Sequence, residues 1–183
     1  MSRTIDRILV PVDFSAASDA ALDYAKMLAA QFGARLYLLH ILEEPLAVPV
    51  AGPEAGVGVD HQRREAWRVE AEARLLAACT PHERQLFAVT SAAIFGVPTH
   101  DINAYAGAHA ADLIVMGTHG RTGLAHLLLG SVAERTVRTA TCPVVTVHAP
   151  SNRDQLPVAA ASAHALPIDG IDQPQVGSDL PMS

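Results

Sequence analysis

Five short apolar runs, each separated from the next by a stretch of helical character, leave this chain few architectures to choose from. Arg7-Ile8-Leu9-Val10-Pro11-Val12 comes first, followed by residues 35–41 (RLYLLHI), residues 85–90, Leu113-Ile114-Val115-Met116 and residues 143–148 (PVVTVH). Runs so short and so continuously apolar read as strands covered on both faces. Pro11 lacks a ladder donor, so the first strand is finishing there. Between the runs lie helical stretches. Residues 16–32 place Ala21, Ala25, Leu28 and Phe32 on one face and stop at Gly33. Residues 61–78 turn Ala66, Val69, Ala73, Leu76 and Ala77 inward, and Thr80-Pro81 breaks the pattern. A third helix reaches about residue 110 from the turn Ile94-Phe95-Gly96-Val97-Pro98, with Pro98 in its first turn. A fourth covers residues 132–139, with Ala133, Val137 and Ala140 on one face. The order βαβαβαβαβ predicts an α/β fold, a three-layer sandwich around a five-stranded parallel sheet. Only 4% of the residues are aromatic, which suits helices on a buried sheet better than an aromatic-rich β sandwich.

The sandwich is expected to occupy residues 1–148. Residues 149–183 hold five prolines and no sustained period, and read as a low-complexity, disordered tail. Residues 43–60 carry three prolines and three glycines and read as a long mobile loop.

Ligands of open parallel sheets bind beyond the strand C-termini, where connections diverge to opposite faces. If the first strand lies beside the fourth, that crevice falls between Asp13 and Gly117. Asp13 or Ser15 can accept from the first free N–H groups of the following helix. The fourth strand leads into MGTHGRTGLAHLLLGS, in which Gly117, Gly120, Gly130 and Ser131 form Gly-x2-Gly-x9-Gly-Ser. Gly117 and Gly120 can turn successive N–H groups toward an anion. Gly130-Ser131 at a helix start adds free N–H groups and the positive end of a helix dipole. Each residue also has a plainer use: Gly117 ends a strand, Asp13 caps a helix, and Ser131 with Glu134 makes a capping box. The combination between strand and helix favours phosphate binding.

Other chemistries find little support. The net charge of −6, with no basic stripe, argues against nucleic acid as a partner. Lys26 is the only lysine and lies in a helix, so no Walker A loop can be built. Cys79 and Cys142 are isolated, fitting a reducing compartment, and no run is long enough to span a membrane. A cytoplasmic location is the expectation. The nine histidines show no zinc-type spacing, and neither Ser15 nor Ser131 has a partnered His-Asp arrangement, so no protein-bound metal or hydrolase nucleophile is expected. His119 can reach a γ-phosphate, Arg121 can neutralise one, and Ser131 can assist Mg²⁺ held mainly by phosphate oxygens. No second acid stands near the glycine motif, so fast hydrolysis is not expected.

With these residues on the page, the chain resembles the universal stress protein family, specifically its ATP-binding branch. The glycine motif carries most of the resemblance. Pro11-Val12-Asp13-Phe14-Ser15, His40-Ile41, Gly96-Val97-Pro98 and Cys142-Pro143-Val144-Val145 add to it. The resemblance implies strand order 3-2-1-4-5, the adenine nucleotide α-hydrolase-like arrangement. It further implies an ATP site in which Pro11, Val12 and Ile41 line the adenine slot and Asp13 reads the ribose or base. Met116, Gly117 and Gly120 with Gly130, Ser131 and Val132 would hold the phosphates. A homodimer is implied too, through the Val144–Val147 edge, whose apolar length needs covering. The expected role is nucleotide-dependent regulation during stress. A slow ATPase or nucleotide-transfer enzyme, and a dimeric scaffold or holdase without nucleotide, stand as alternatives.

Overall fold

The computed structural model describes residues 4–43, 61–118 and 129–149. Strands β1 (Arg7–Pro11), β2 (Arg35–Leu42), β3 (Thr90–Phe95), β4 (Leu113–Gly117) and β5 (Val144–Val147) form one sheet in the order β3-β2-β1-β4-β5. Every pairing is parallel. Helices α1 (Ala16–Phe32), α2 (His61–Ala77), α3 (Pro81–Leu86), α4 (Pro98–Ala108) and α5 (Ser131–Thr139) complete the described elements.

Alternation along the strands supplies two cores, one on each face of the sheet. Ile8 and Val10 of β1, Leu36 and Leu38 of β2, and Leu113 and Val115 of β4 pack with Ala21, Leu22 and Ala25 of α1 and Leu75 of α2. Leu9, Leu39, Ile41, Ile114 and Met116 point the other way, onto Ile102 and Ala106 of α4 and Ala133 of α5. The helices thus cover both faces, as the apolar strands require. At the end where β1 begins, Asp112 Oδ2 accepts from the backbone N–H groups of Asp6 and Arg7, both at 3.0 Å, tying β1 to the start of β4. That leaves the opposite, C-terminal end of the sheet for the site.

Several expectations are corrected. Of residues 85–90 only Thr90 is strand: the third strand is Thr90–Phe95, which takes in Ile94 and Phe95 of the expected turn, and the short helix α3 precedes it. Thr80 and Glu83 form a reciprocal capping box around Pro81, a helix start that overrides the apolar residues beyond it. On α2 the expected inward face is outside. Val69 and Leu76 are exposed, and the helix buries Ala71 and Leu75 instead. Phe32 of α1 and Val137 of α5 are exposed as well, whereas Thr136 is fully buried. Helix α1 stops as expected at Gly33, whose φ of 69° is left-handed.

Glu83 makes a testable contribution to this frame. Its carboxylate accepts from the Thr80 backbone at 2.7 Å and pairs with Lys26 Nζ at 3.1 Å. The Thr80 backbone bond first, then Lys26, hold its pKa at about 2, below the ordinary 4.5. A depressed carboxylate stabilises the fold above its ordinary pKa, and loses that contribution as pH falls toward the folded value. Glu83→Gln is expected to lower unfolding free energy by about 1 kcal/mol at pH 7. The gap to the parent protein should close as pH falls from 4.5 toward 2, in denaturant titrations at each pH.

Candidate functional site

The sheet order reverses direction between β1 and β4, because β1 connects through α1 toward β2 and β4 through α5 toward β5. At this switch the two C-terminal ends splay apart, opening a crevice. The structure contains a cavity of about 420 Å³ there.

The first wall is the segment leaving β1. The Val12 N–H donates to Leu39 C=O at 2.8 Å, and Val12 C=O accepts from Nδ1 of the buried His40 at 2.6 Å. A carbonyl can only accept, so the bond requires a proton on Nδ1. Asp13 follows. Its Oδ1 accepts from the Ser15 backbone at 3.0 Å and the Ser15 hydroxyl at 2.6 Å. Ser15 itself caps α1, accepting from the Ser18 N–H at 3.3 Å. The cap expected at Asp13 or Ser15 is therefore at Ser15, and Asp13 orients the capping residue while lining the cavity.

The second wall comes from the segment leaving β4 and the start of α5. The Thr118 N–H donates to Val147 C=O at 2.9 Å, and Thr118 C=O accepts from the Gly130 N–H at 2.7 Å. The chain thus leaves and returns at one point. Gly130 is the N-cap of α5, with φ −71° and ψ 155° and no side-chain cap. The expected Ser131–Glu134 capping box does not form: Ser131 is the first helical residue, and Glu134 pairs instead with Arg138 at 3.4 Å. The first helical bond runs from the Glu134 N–H to Gly130 C=O. The N–H groups of Ser131, Val132 and Ala133 consequently have no acceptor among the described residues, and all three residues line the cavity. A helix start in this state carries partial positive charge toward whatever occupies the space.

Of the residues selected from sequence, Pro11, Val12, Asp13 and Ile41 line this cavity, as do Met116, Gly117, Gly130, Ser131 and Val132. His119, Gly120 and Arg121 lie outside the described residues. Sequence reasoning missed Leu39, His40, Glu43, Pro98, Ile102, Thr118 and Ala133 on the lining. Pro98 and Ile102 were detectable as one face of α4's first turn. Glu43 is a second acid on the cavity lining, beside Asp13. Among the described residues no group of three His, Cys, Asp or Glu gathers to hold a metal. No described helix is long and apolar enough to cross a membrane.

Comparison with known proteins places this geometry in a lineage. Residues 4–148 match the model of the universal stress protein family. A universal stress protein of Methanocaldococcus jannaschii is 35% identical over 144 residues, covering 79% of this chain and 82% of that protein. The structure of the universal stress protein UspA from Lactobacillus plantarum superposes with a TM-score of 0.60 at 27% identity, over 80% of this chain and 99% of that one. A universal stress protein solved in complex with cAMP gives a TM-score of 0.52 at 26% identity, over 81% of this chain and all of that one. With the sheet order, the adenine nucleotide α-hydrolase-like fold and a family match along most of its length, the chain belongs to the universal stress protein family.

Proposed function

We propose that the cavity binds ATP and that the nucleotide state of the protein regulates partners during stress. The observation that carries this reading is one space walled by apolar side chains, the Asp13 and Glu43 carboxylates and the α5 N–H groups that have no acceptor among the described residues. Pro11, Val12 and Ile41 supply an apolar slot for a base, Asp13 Oδ2 accepts from ribose hydroxyls, and Ser131, Val132 and Ala133 donate to phosphate oxygens. The volume falls within the range of small-molecule sites. Gly120, His119 and Arg121 join the phosphate end in this proposal. Mg²⁺ is held mainly by the phosphates, with the Ser131 hydroxyl assisting, since the described residues gather no metal cluster. The relative bound to cAMP supports an adenine nucleotide.

Asp13→Ala tests the assignment. Calorimetry should show ATP affinity falling about tenfold while inorganic tripolyphosphate binds unchanged, because the acid reads the nucleoside. Equal losses for both ligands would contradict it, and a parent protein silent toward millimolar ATP would leave the scaffold without nucleotide.

Glu43 gives a second reading its observation, a slow ATPase in the same cavity, because it adds an acid able to serve as a base. Steady phosphate release abolished by Glu43→Gln selects that reading; ATP recovered intact after long incubation dismisses it.

The protein acts in this proposal as a cytoplasmic homodimer, with residues 1–148 as the binding domain. Strand β5 is an outer strand of the sheet, and its four residues are only half-buried. An apolar edge of that kind needs a partner. Light scattering during gel filtration should give twice the 19.3 kDa chain mass at micromolar concentration. A monomer mass throughout would reject the dimer.

A further inference from the structure

Phe14, directly after Asp13, has φ 62°. The left-handed region is a rare home for an aromatic residue, and such a conformation persists only where surrounding contacts over-determine it. Those contacts are present on the ring. The guanidinium carbon of Arg74, from the last turn of α2, lies 3.8 Å from the Phe14 ring centroid. The His40 imidazole centroid lies 4.6 Å away, with the planes inclined at 43°. His40 also holds Val12 through its carbonyl. Both neighbours of Asp13 are therefore held from outside the loop, Val12 by β2 and Phe14 by β2 and α2 together. Both bonds that Asp13 receives from Ser15 fall on Oδ1, and none from the described residues falls on Oδ2.

Arg74 is exposed and is not part of the cavity wall. Among the described residues it reaches the site through Phe14. We propose that Arg74 and Phe14 are positioning residues for nucleoside recognition: the guanidinium clamps the aromatic ring, the clamp holds the left-handed bend, and the bend presents the Asp13 carboxylate to the ligand. The inference rests on the nucleotide reading of the cavity and adds to it a control point on the outer surface of α2. Whatever draws the Arg74 guanidinium off the ring weakens the grip on the nucleoside and leaves the phosphate end untouched.

The test uses the full chain, with ATP and inorganic tripolyphosphate as separate probes in calorimetry. Arg74→Ala should weaken ATP about fivefold, as loss of one cation–π contact implies, and leave tripolyphosphate unchanged. Arg74→Lys, which keeps a cation over the ring, should recover most of the ATP affinity. Phe14→Ala should lose as much or more, and Arg74→Ala added to Phe14→Ala should cost nothing further. An Arg74→Ala protein with both affinities unchanged, while Asp13→Ala still weakens ATP, overturns the clamp and leaves the nucleotide reading standing. If ATP does not bind the parent protein, or Asp13→Ala weakens both probes alike, the nucleotide reading and the clamp fall together. A crystal structure of Arg74→Ala gives a readout independent of ligand: a shifted Phe14 supports the clamp, and an unmoved Phe14 and Asp13 overturn it.

Discussion

Gly117→Val should be the most destabilising substitution in the glycine motif, and the reason is proximity to α1 more than contact with any ligand. A Cβ built on Gly117 would lie 2.8 Å from the Ala17 carbonyl carbon, 2.9 Å from its Cβ and 3.0 Å from its oxygen. These are mostly backbone atoms of the first turn of α1, so no rotamer change relieves the overlap. Either β4 or the helix must move. Overpacking of this kind costs about 1–3 kcal/mol for small intrusions, and a branched side chain belongs at or above the top of that range. At about 2–4 °C per kcal/mol for a domain of this size, Gly117→Ala should lower Tm by about 5 °C and Gly117→Val by about 10 °C. Gly107 in α4 is the control. Nothing lies within 4 Å of a Cβ there, so Gly107→Ala should keep or slightly raise Tm through better helix propensity. An unchanged Tm for Gly117→Val would mean that α1 does not approach β4 as described. Because α1 begins at the Ser15 cap that Asp13 orients, the same substitution should also loosen the site.

Ser131→Pro should have the largest effect on ligand affinity with the least effect on the fold. Ser131 is the first residue of α5, and its N–H has no acceptor among the described residues. Proline is favoured at that position, where its missing donor costs nothing to the helix. Gly130, with φ −71° and ψ 155°, already has the extended conformation that the residue before proline requires. The substitution removes one amide donor and one hydroxyl from the cavity and leaves the helix in place. A charge-assisted hydrogen bond contributes about 1.5–3 kcal/mol, so ATP and tripolyphosphate should both bind about 10–100-fold more weakly at unchanged Tm. This is the complement of Asp13→Ala, which should discriminate between the two ligands. Retained tripolyphosphate affinity in a folded Ser131→Pro protein would move the phosphates away from α5.

Most of the sheet was legible because four of its five strands announce themselves as short apolar runs, the inner three buried on both faces. Residues 8–10 and 113–116 are fully buried or nearly so, and no other element type hides such runs easily. Strand β3 escaped because its side chains are small or polar. Thr90-Ser91-Ala92-Ala93 opens one edge of the sheet without an apolar run, whereas the other edge, Val144-Val145-Thr146-Val147, spells one. Helix α3 escaped because six residues are too few for a period, although Thr80, Pro81 and Glu83 together spelled its start. On α2 two stripes of small apolar residues compete at helical spacing. Only the tertiary docking of Ala71 and Leu75 decides between them.

The site was more legible than its reasons. Gly117 reads as a torsional glycine in the sequence, yet among the described glycines only Gly33 has a positive φ, and Gly117 is small so that α1 can approach. Ser131 reads as a cap, but the cap is Gly130, and that displacement by one residue leaves the first helix N–H groups without an acceptor among the described residues. Glu43 was invisible as a wall residue because cavity walls gather residues by chain crossing, which no local pattern records.

A crystal structure of the protein with a non-hydrolysable ATP analogue tests the central claim most directly. The triphosphate should lie within about 3 Å of the Ser131, Val132 and Ala133 amides, with the ribose hydroxyls on Asp13 and the base against Val12 and Ile41. Phosphates lying away from the α5 start, or a cavity left vacant at saturating analogue, would contradict it.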